Sequence, residues 1–157
     1  MIPDKLVEFL TGPVVLLVGT ASAALRPSGA YAFGLTADAE KDVITFFLPD
    51  VEGEDVLRDL RENGRVAVTA SQGGSHETYQ VKGRLIEARP VDDGEKAFQD
   101  AYREKAIAHY TPLGVPEGYF GSMVYDPSTA VSFRLEEVFD QTPGPAAGDK
   151  IEFIPNP

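Results

Sequence analysis

The sequence lacks cysteine altogether and contains only two histidines, His76 and His109. Without cysteine there can be no disulfide bond, no thiolate nucleophile and no cysteine-ligated metal. The two histidines are 33 positions apart, so they do not form the closely spaced pair that zinc sites commonly use. We therefore predict no metal site.

Long apolar runs are also missing. The longest run, residues 14–18, is far shorter than the ~20 residues that a membrane helix needs, and residues 1–5 do not resemble the start of a signal peptide. The 157-residue chain has 25 acidic and 14 basic residues, a formal net charge of −11. Such a surface repels nucleic-acid phosphates and anionic lipids. We expect a soluble, cytoplasmic protein that binds neither nucleic acid nor a membrane.

Familiar nucleotide-binding and hydrolase motifs are absent. No Gly-x-Gly-x-x-Gly sequence follows a predicted strand, and neither a Walker phosphate loop nor a Gly-x-Ser-x-Gly nucleophile elbow occurs. The densest carboxylate group, Glu52, Glu54 and Asp55, lies at a predicted helix start, where the helix dipole favours negative charge. We interpret this group as a helix cap rather than an acid–base pair, and the sequence assigns no catalytic residue.

Regular hydrophobic patterning predicts one domain over residues 1–157, with its core at about 4–140 and an irregular tail at 141–157. Helical periodicity and alternation predict three helices and six strands. The predicted helices cover residues 3–10, 53–63 and 92–110. The predicted strands cover residues 14–18, 28–35, 43–48, 65–70, 76–89 and 130–139. The Pro- and Gly-containing stretch 111–125 is predicted to be a loop.

The second strand alternates small and large residues. Ala30, Ala32 and Gly34 share one side, and the aromatic residues Tyr31 and Phe33 share the other. We expect the small side to be open for close approach by a neighbouring molecule, which favours a homodimer.

The fifth and longest strand has an apolar and a polar face. Tyr79, Val81 and Leu85 form the apolar face. The polar face consists of Thr78, Gln80, Lys82 and Arg84. Six strands with few crossover helices argue against a doubly wound parallel sheet. They predict a mostly β (α+β) fold, in which an antiparallel sheet curls into a small barrel with peripheral helices.

This arrangement resembles the FMN-binding split β-barrels of the pyridoxamine 5'-phosphate oxidase family over residues 4–140. Three stretches carry the resemblance. In the first, a helix and a buried strand lead through Arg26-Pro27 into the strand of Tyr31 and Phe33. The second runs from residues 43–47 through a helix to 62–68, where many relatives have Asn-Pro-Arg-Val. The third is 78–84, a long strand with its glycine.

The resemblance implies an antiparallel six-stranded split β-barrel that forms a homodimer and binds FMN, or sometimes a deazaflavin, in clefts at the dimer interface. It implies an oxidoreductase whose small-molecule substrate the sequence does not name. Thr78 or Gln80 fills the place of a ligand-contacting glutamine, while Lys82 and Arg84 could supply positive charge for the phosphate; this polar face could equally meet solvent or a partner subunit. The candidate cofactor-binding residues are Tyr31, Phe47, Thr78, Gln80, Lys82 and Arg84.

Four positions depart from the family pattern. Ala30, Leu48, Glu54 and Asp55 stand where relatives carry basic or hydroxyl side chains for the flavin phosphate. Two carboxylates near a phosphate repel it, so we predict weak FMN binding. The alternative is a flavin-less split-barrel homodimer that serves as a binding or structural module.

Overall fold

A computed structural model describes residues 1–154 of the chain. The helices are α1 (Asp4–Leu10), α2 (Glu54–Asn63), α3 (Asp93–Tyr110) and α4 (Glu117–Gly121), with a short 3-10 helix at Thr111–Leu113. The strands are β1 (Val15–Ala21), β2 (Pro27–Ala32), β3 (Leu35–Asp38), β4 (Val43–Pro49), β5 (Arg65–Ser71), β6 (Thr78–Pro90), β7 (Ser128–Asp140) and β8 (Lys150–Ile151).

The strands form one antiparallel sheet with the order β2-β1-β5-β6-β7-β4-β3, and β8 pairs with β7. The two end strands, β2 and β3, are consecutive in the chain. The two residues that link them bond to β4: the Phe33 N–H donates to the Phe47 carbonyl at 2.8 Å, and the Phe47 N–H donates to the Gly34 carbonyl at 3.2 Å. The sheet therefore curls until its two ends approach each other without a continuous ladder, which is a split barrel.

The core lies inside this curled sheet. It is formed by alternate residues of the strands, since successive side chains point to opposite faces. Phe46, Leu16, Val68, Val81 and Phe133 each have at most 1% of their surface exposed. The remaining side of the sheet, which we call the outer face, is covered by α3 at one end and exposed at the other.

Helix α3 crosses the split between the ends of the sheet. Its Phe98 ring packs on Phe47, with the ring centroids 5.6 Å apart. The Tyr102 hydroxyl donates to the Val14 carbonyl, and the Tyr110 hydroxyl donates to the main chain just before β1. The helix thereby joins β4 to the start of β1 and holds the barrel together where the sheet is open.

The predicted α+β class and the antiparallel sheet are confirmed, but residues 1–154 contain eight strands rather than six. The second predicted strand divides at Gly34, whose φ of +100° suits glycine. An added Cβ there would lie 2.9 Å from the Phe98 ring. The chain then continues as β3, of which only Leu35 lies within the predicted second strand.

Two further regions are more regular than predicted. The stretch 111–125, predicted as a loop, contains the 3-10 helix and α4. The tail predicted as irregular contributes β8, in which Ile151 pairs with Val138. Residues 155–157 of that predicted tail lie outside the described residues.

The start of α3 is stabilised by a charged network. Asp92 and Glu95 form a capping box, and Arg89 makes a bidentate ion pair with Glu95 at 2.7 and 2.8 Å. The hydrogen bonds from Arg89 are the main cause that lowers the pKa of Glu95 below 4.5. This network fixes the end of the helix that lies over Phe47.

We expect Glu95→Gln to lower the free energy of unfolding at neutral pH by about 1–2 kcal/mol, because it removes the charge but retains the capping acceptor. Since the folded pKa of Glu95 is depressed, its contribution is complete above pH 4.5 and is lost as the pH falls through the folded value. Urea titrations over a pH series should show the difference from the parent shrinking below pH 4.5. A difference that stays constant into acid would contradict this origin; Glu8→Gln, on an exposed position of α1, is the control.

Candidate functional site

Five of the six predicted cofactor-binding side chains lie on the outer face. On β6, the alternation with buried Val81 directs Thr78, Gln80, Lys82 and Arg84 to this side. Tyr31 reaches the same face from β2. The pairing register shows this: Tyr31 lies opposite Leu17, Leu17 lies opposite Thr69, and Thr69 lies opposite Gln80. Residues directly opposite one another in a sheet share a face. The sequence-based prediction of a polar face on this strand is therefore consistent with the sheet.

Phe47 does not belong to this exposed surface. Only 1% of its side chain is exposed, and the Phe98 ring of α3 covers it. In this conformation its role is to anchor α3 across the split. A ligand would have to displace the helix to reach its ring.

A cleft of about 370 Å³ lies on the outer face and is lined by three cationic side chains, Arg65, Lys82 and Arg84. We call it the cationic cleft. Its floor is formed by small residues, including Gly19 and Ala67, which lie opposite each other on β1 and β5. Small residues let a flat ligand approach the strand backbone closely. The volume is within the usual range for small-molecule sites, roughly 300–1,000 Å³.

Carboxylates at the rim only partly neutralise these cations. The Arg84 Nε lies 3.7 Å from Glu136. Glu137 also lines the cleft, but it accepts a hydrogen bond from Lys150 at 2.8 Å. This bond, assisted by the charges of Lys150 and Lys82, lowers the pKa of Glu137. The Lys82 Nζ lies 4.3 Å from the centre of the Phe139 ring. The Lys82 ammonium and the exposed Arg84 guanidinium both border the cleft.

Thr78 and Gln80 lie on the same face but outside the cationic cleft. The Thr78 hydroxyl shares a hydrogen bond with the Ser71 hydroxyl at 2.8 Å, and the Gln80 amide donates to the Thr69 hydroxyl at 3.1 Å. Both side chains therefore already bridge β5 and β6. They retain acceptor capacity, but the structure does not bring them into one cavity with Lys82 and Arg84.

A second cavity, about 220 Å³ in volume, opens between α3, α4 and the β1–β2 pair. We call it the aromatic pocket. Six aromatic side chains line it: Tyr31, Phe33, Tyr102, Tyr110, Tyr119 and Phe120. Burial raises the pKa of the Tyr102 hydroxyl, so this group stays neutral and serves as a hydrogen-bond donor. Tyr31 is thus placed in a different cavity from Lys82 and Arg84.

The sequence suggested that the small side of β2 is open to a neighbouring molecule, and the structure shows that it is not. Ala30 and Ala32 are 7% and 4% exposed and point into the core. The outward residue is Tyr31, at 52% exposure, beside Leu17 at 46%. An open surface for a partner therefore exists on these strands, but its exposed side chains are apolar rather than small.

The four positions that the resemblance assigned to the flavin phosphate do not form a phosphate site here. Ala30 and Leu48 are buried in the core. Glu54 and Asp55 are exposed at the start of α2, and neither lines the cationic cleft. Arg58 pairs with Asp55 and lies 3.6 Å from the fully buried Asp59. A phosphate does not fit beside these carboxylates, whereas Lys82, Arg84 and Arg65 fit one chemically.

Residues 1–154 contain neither a metal site nor a membrane-spanning helix. No group of three or more His, Asp or Glu side chains is arranged to hold a metal ion. No helix in this part of the chain has both the length and the apolar composition to cross a bilayer.

The protein is thus a split antiparallel barrel with a cationic cleft on its outer face. The family model described as pyridoxamine 5'-phosphate oxidase matches residues 2–142. The chain belongs to this family, which confirms the resemblance seen in the sequence. No curated protein matches the chain significantly.

Solved structures share the fold at low sequence identity. HupZ from Group A Streptococcus is 18% identical, with 94% of this chain and 100% of that chain covered and a TM-score of 0.55. An F420 reductase is 15% identical, with 87% and 98% covered and a TM-score of 0.56. An FMN-binding protein from Syntrophomonas wolfei is 11% identical, with 86% and 85% covered and a TM-score of 0.51. These likenesses show the fold alone.

Arg65 is the residue of the cleft that the sequence did not single out. It begins the strand β5, and its register partner is Arg84. That register is fixed by the connection between β5 and β6, where the Gln72 N–H donates to the Glu77 carbonyl. A hairpin prediction across residues 72–77 could have aligned the two arginines.

Proposed function

We propose that the protein is a flavin-phosphate-binding split-barrel oxidoreductase that acts as a homodimer. The observation that carries the proposal is the cationic cleft, where Lys82 and Arg84 border a floor of small residues on the surface predicted to bind a cofactor. Family membership supports the flavin, because relatives described as FMN-binding share this barrel.

In this proposal Lys82, Arg84 and Arg65 hold the cofactor phosphate. A phosphate monoester carries about 1.5–2 negative charges at neutral pH, and arginine binds phosphate oxygens in a bidentate manner. The backbone along Gly19 and Ala67 provides a flat surface for the ring. The bound flavin would supply the electron transfer. The chain's own residues bind it, orient it and limit its contact with water.

The expected affinity is low. The family's phosphate position holds Ala30, Leu48, Glu54 and Asp55, so the cofactor phosphate depends on the few cations of the cleft. The net charge of −11 adds an unfavourable field that salt reduces. The purified protein should therefore lose FMN on dialysis.

Paired titrations with FMN and riboflavin test the proposal, because the two ligands differ only in the phosphate. On binding, the fluorescence of FMN should be quenched or its absorbance bands should shift, and the titration should give a measurable dissociation constant. Riboflavin should bind more weakly. Equal, negligible binding of both would exclude the flavin function. A Glu54→Ser, Asp55→Arg double variant locates the phosphate: tighter FMN binding would indicate the family position, and unchanged binding supports the cationic cleft.

The outer face also supports the homodimer. Leu17 and Tyr31 form an exposed apolar pair beside the cationic cleft. A stable interface buries about 800 Å² on each partner, and apolar anchors near its centre contribute most of the binding energy. Two copies packed through this face would enclose the cleft.

We expect Leu17→Glu to weaken self-association by at least about 2 kcal/mol, since it would bury a charge against the partner. Light scattering over a concentration series should show the parent at twice 16.9 kDa and the variant near 16.9 kDa. Val51→Glu is the control, because Val51 is 77% exposed in a turn outside this face. A parent that is monomeric at micromolar concentration would rule out the homodimer.

A second candidate function is the flavin-less homodimer that binds another small molecule or a protein. The burial of Ala30 and Leu48 favours it, because the family's phosphate position has become part of the core. A dimer that binds neither FMN nor riboflavin is the outcome that selects this candidate.

A further inference from the structure

Three arginines stand side by side on the outer face. Arg84 on β6 is paired in register with Arg65 on β5 and with Arg134 on β7. All three side chains are exposed. Neighbouring strands are about 4.8 Å apart, so the ends of this arginine row are about 10 Å from each other. Like charges directly opposite one another on a sheet repel, so the row does not serve sheet stability.

Acidic side chains contact only one of the three arginines. Within residues 1–154, no carboxylate lies within 4.0 Å of Arg65 or Arg134. Arg84 has one such neighbour, Glu136, at 3.7 Å. Arg134 donates to the main-chain carbonyl of Lys41 at 3.4 Å, which leaves its charge uncompensated. In a chain with 25 acidic residues this surplus of positive charge is local and specific.

We propose that the arginine row binds a ligand with two adjacent phosphate groups, that is, a diphosphate or its ester. A single phosphate, with about 1.5–2 charges, is matched by two of these cations. Three arginines and Lys82, which lies two residues from Arg84 on the same face, match a longer and more highly charged anion. Planar guanidinium groups spaced along a line suit successive phosphates, each bound in a bidentate manner.

This inference deepens the proposed function and rests on it in one respect: Lys82 and Arg84 must belong to a phosphate site. It adds Arg134 on β7 to that site, beside Arg65 and Arg84. The ligand class it names is a diphosphate, which differs from the monophosphate of FMN.

Calorimetric titration of the full chain with inorganic pyrophosphate and with orthophosphate tests the inference. Pyrophosphate should bind at least about tenfold more tightly, because it engages one more charge-assisted contact. Arg65→Gln and Arg134→Gln should each weaken pyrophosphate binding by about tenfold. Arg61→Gln is the matched control, since it removes an exposed arginine charge on α2, outside the row. Circular dichroism should show all three variants folded.

Pyrophosphate that binds no more tightly than orthophosphate would overturn the diphosphate class. So would an Arg134→Gln variant that behaves like Arg61→Gln. The flavin titrations keep the two proposals separate. If FMN fails to bind but pyrophosphate binding depends on Arg65 and Arg134, the proposed flavin function fails and the arginine row stands. If FMN binds but pyrophosphate binds no more tightly than orthophosphate, the proposed flavin function stands and the arginine row fails.

Discussion

Replacing Lys82 and Arg84 together by glutamine should weaken FMN binding by about two to four powers of ten. Each charge-assisted contact with a phosphate contributes roughly 1.5–3 kcal/mol, so the loss of two amounts to about 3–6 kcal/mol, with about 1.4 kcal/mol for each factor of ten. Riboflavin binding should be unaffected, because riboflavin has no phosphate. Fluorescence titration of both ligands measures the effect.

The same double variant should fold nearly as well as the parent. Arg84 is half exposed, and its ion pair with Glu136 at 3.7 Å is a weak surface contact. Lys82 gives up a cation–π contact with Phe139, worth about 0.5–1 kcal/mol at an exposed site. Arg61→Gln with Lys105→Gln removes the same two charges from exposed helix positions and is the control. Unchanged FMN affinity in the Lys82, Arg84 variant would place the phosphate elsewhere.

Gly83→Ala should destabilise the fold by about 3 kcal/mol or more, the upper end of overpacking effects. A Cβ at this position would lie 1.9 Å from the Arg134 carbonyl oxygen and 2.7 Å from the Phe133 ring. The obstacle is backbone, so relief requires β6 and β7 to move apart. The pairing register of β6 with β7 also shifts here, between Lys82 and Gly83. Urea denaturation measures the loss.

Gly118→Ala provides the control for this substitution. Nothing lies within 4 Å of a Cβ at Gly118, which is exposed on α4. Alanine favours helix by up to about 1 kcal/mol over glycine, so this variant should be neutral or slightly more stable. A Gly83→Ala protein as stable as the parent would show that the β6–β7 approach relaxes without cost. Since Lys82 and Arg84 flank Gly83, a partly folded variant should also lose FMN and pyrophosphate binding.

The sequence predicted well what depends on local periodicity. The long strand was expected at residues 76–89 and is found at Thr78–Pro90, and its polar face was assigned correctly from alternation. Alternation also showed that Ala30 and Ala32 share a side of β2. It could not show which side is inside the barrel, because that depends on how the sheet curls, and the expectation of an open small-residue surface was wrong.

Features that depend on contacts between distant segments were not predictable in this way. Phe47 was a candidate ligand contact, but α3, about 50 residues later, covers it. Gly34 looked like one of three small residues in a strand, but it has a φ of +100° and packs against the Phe98 ring, and neither feature can be read from the local pattern. The arginine row joins three strands, and Arg134 enters it through a pairing register that no local pattern reveals.

The near-closure of the barrel has a consequence for aggregation. An unpaired strand edge can template the addition of another chain, and proteins counter this with short edge strands, proline or covering helices. Both end strands here have such protection. β2 begins with Pro27 and is six residues long, and β3 is four residues long. Chains that associate through Leu17 and Tyr31 would stack face to face rather than extend the sheet, so growth should stop at two copies instead of continuing into fibres.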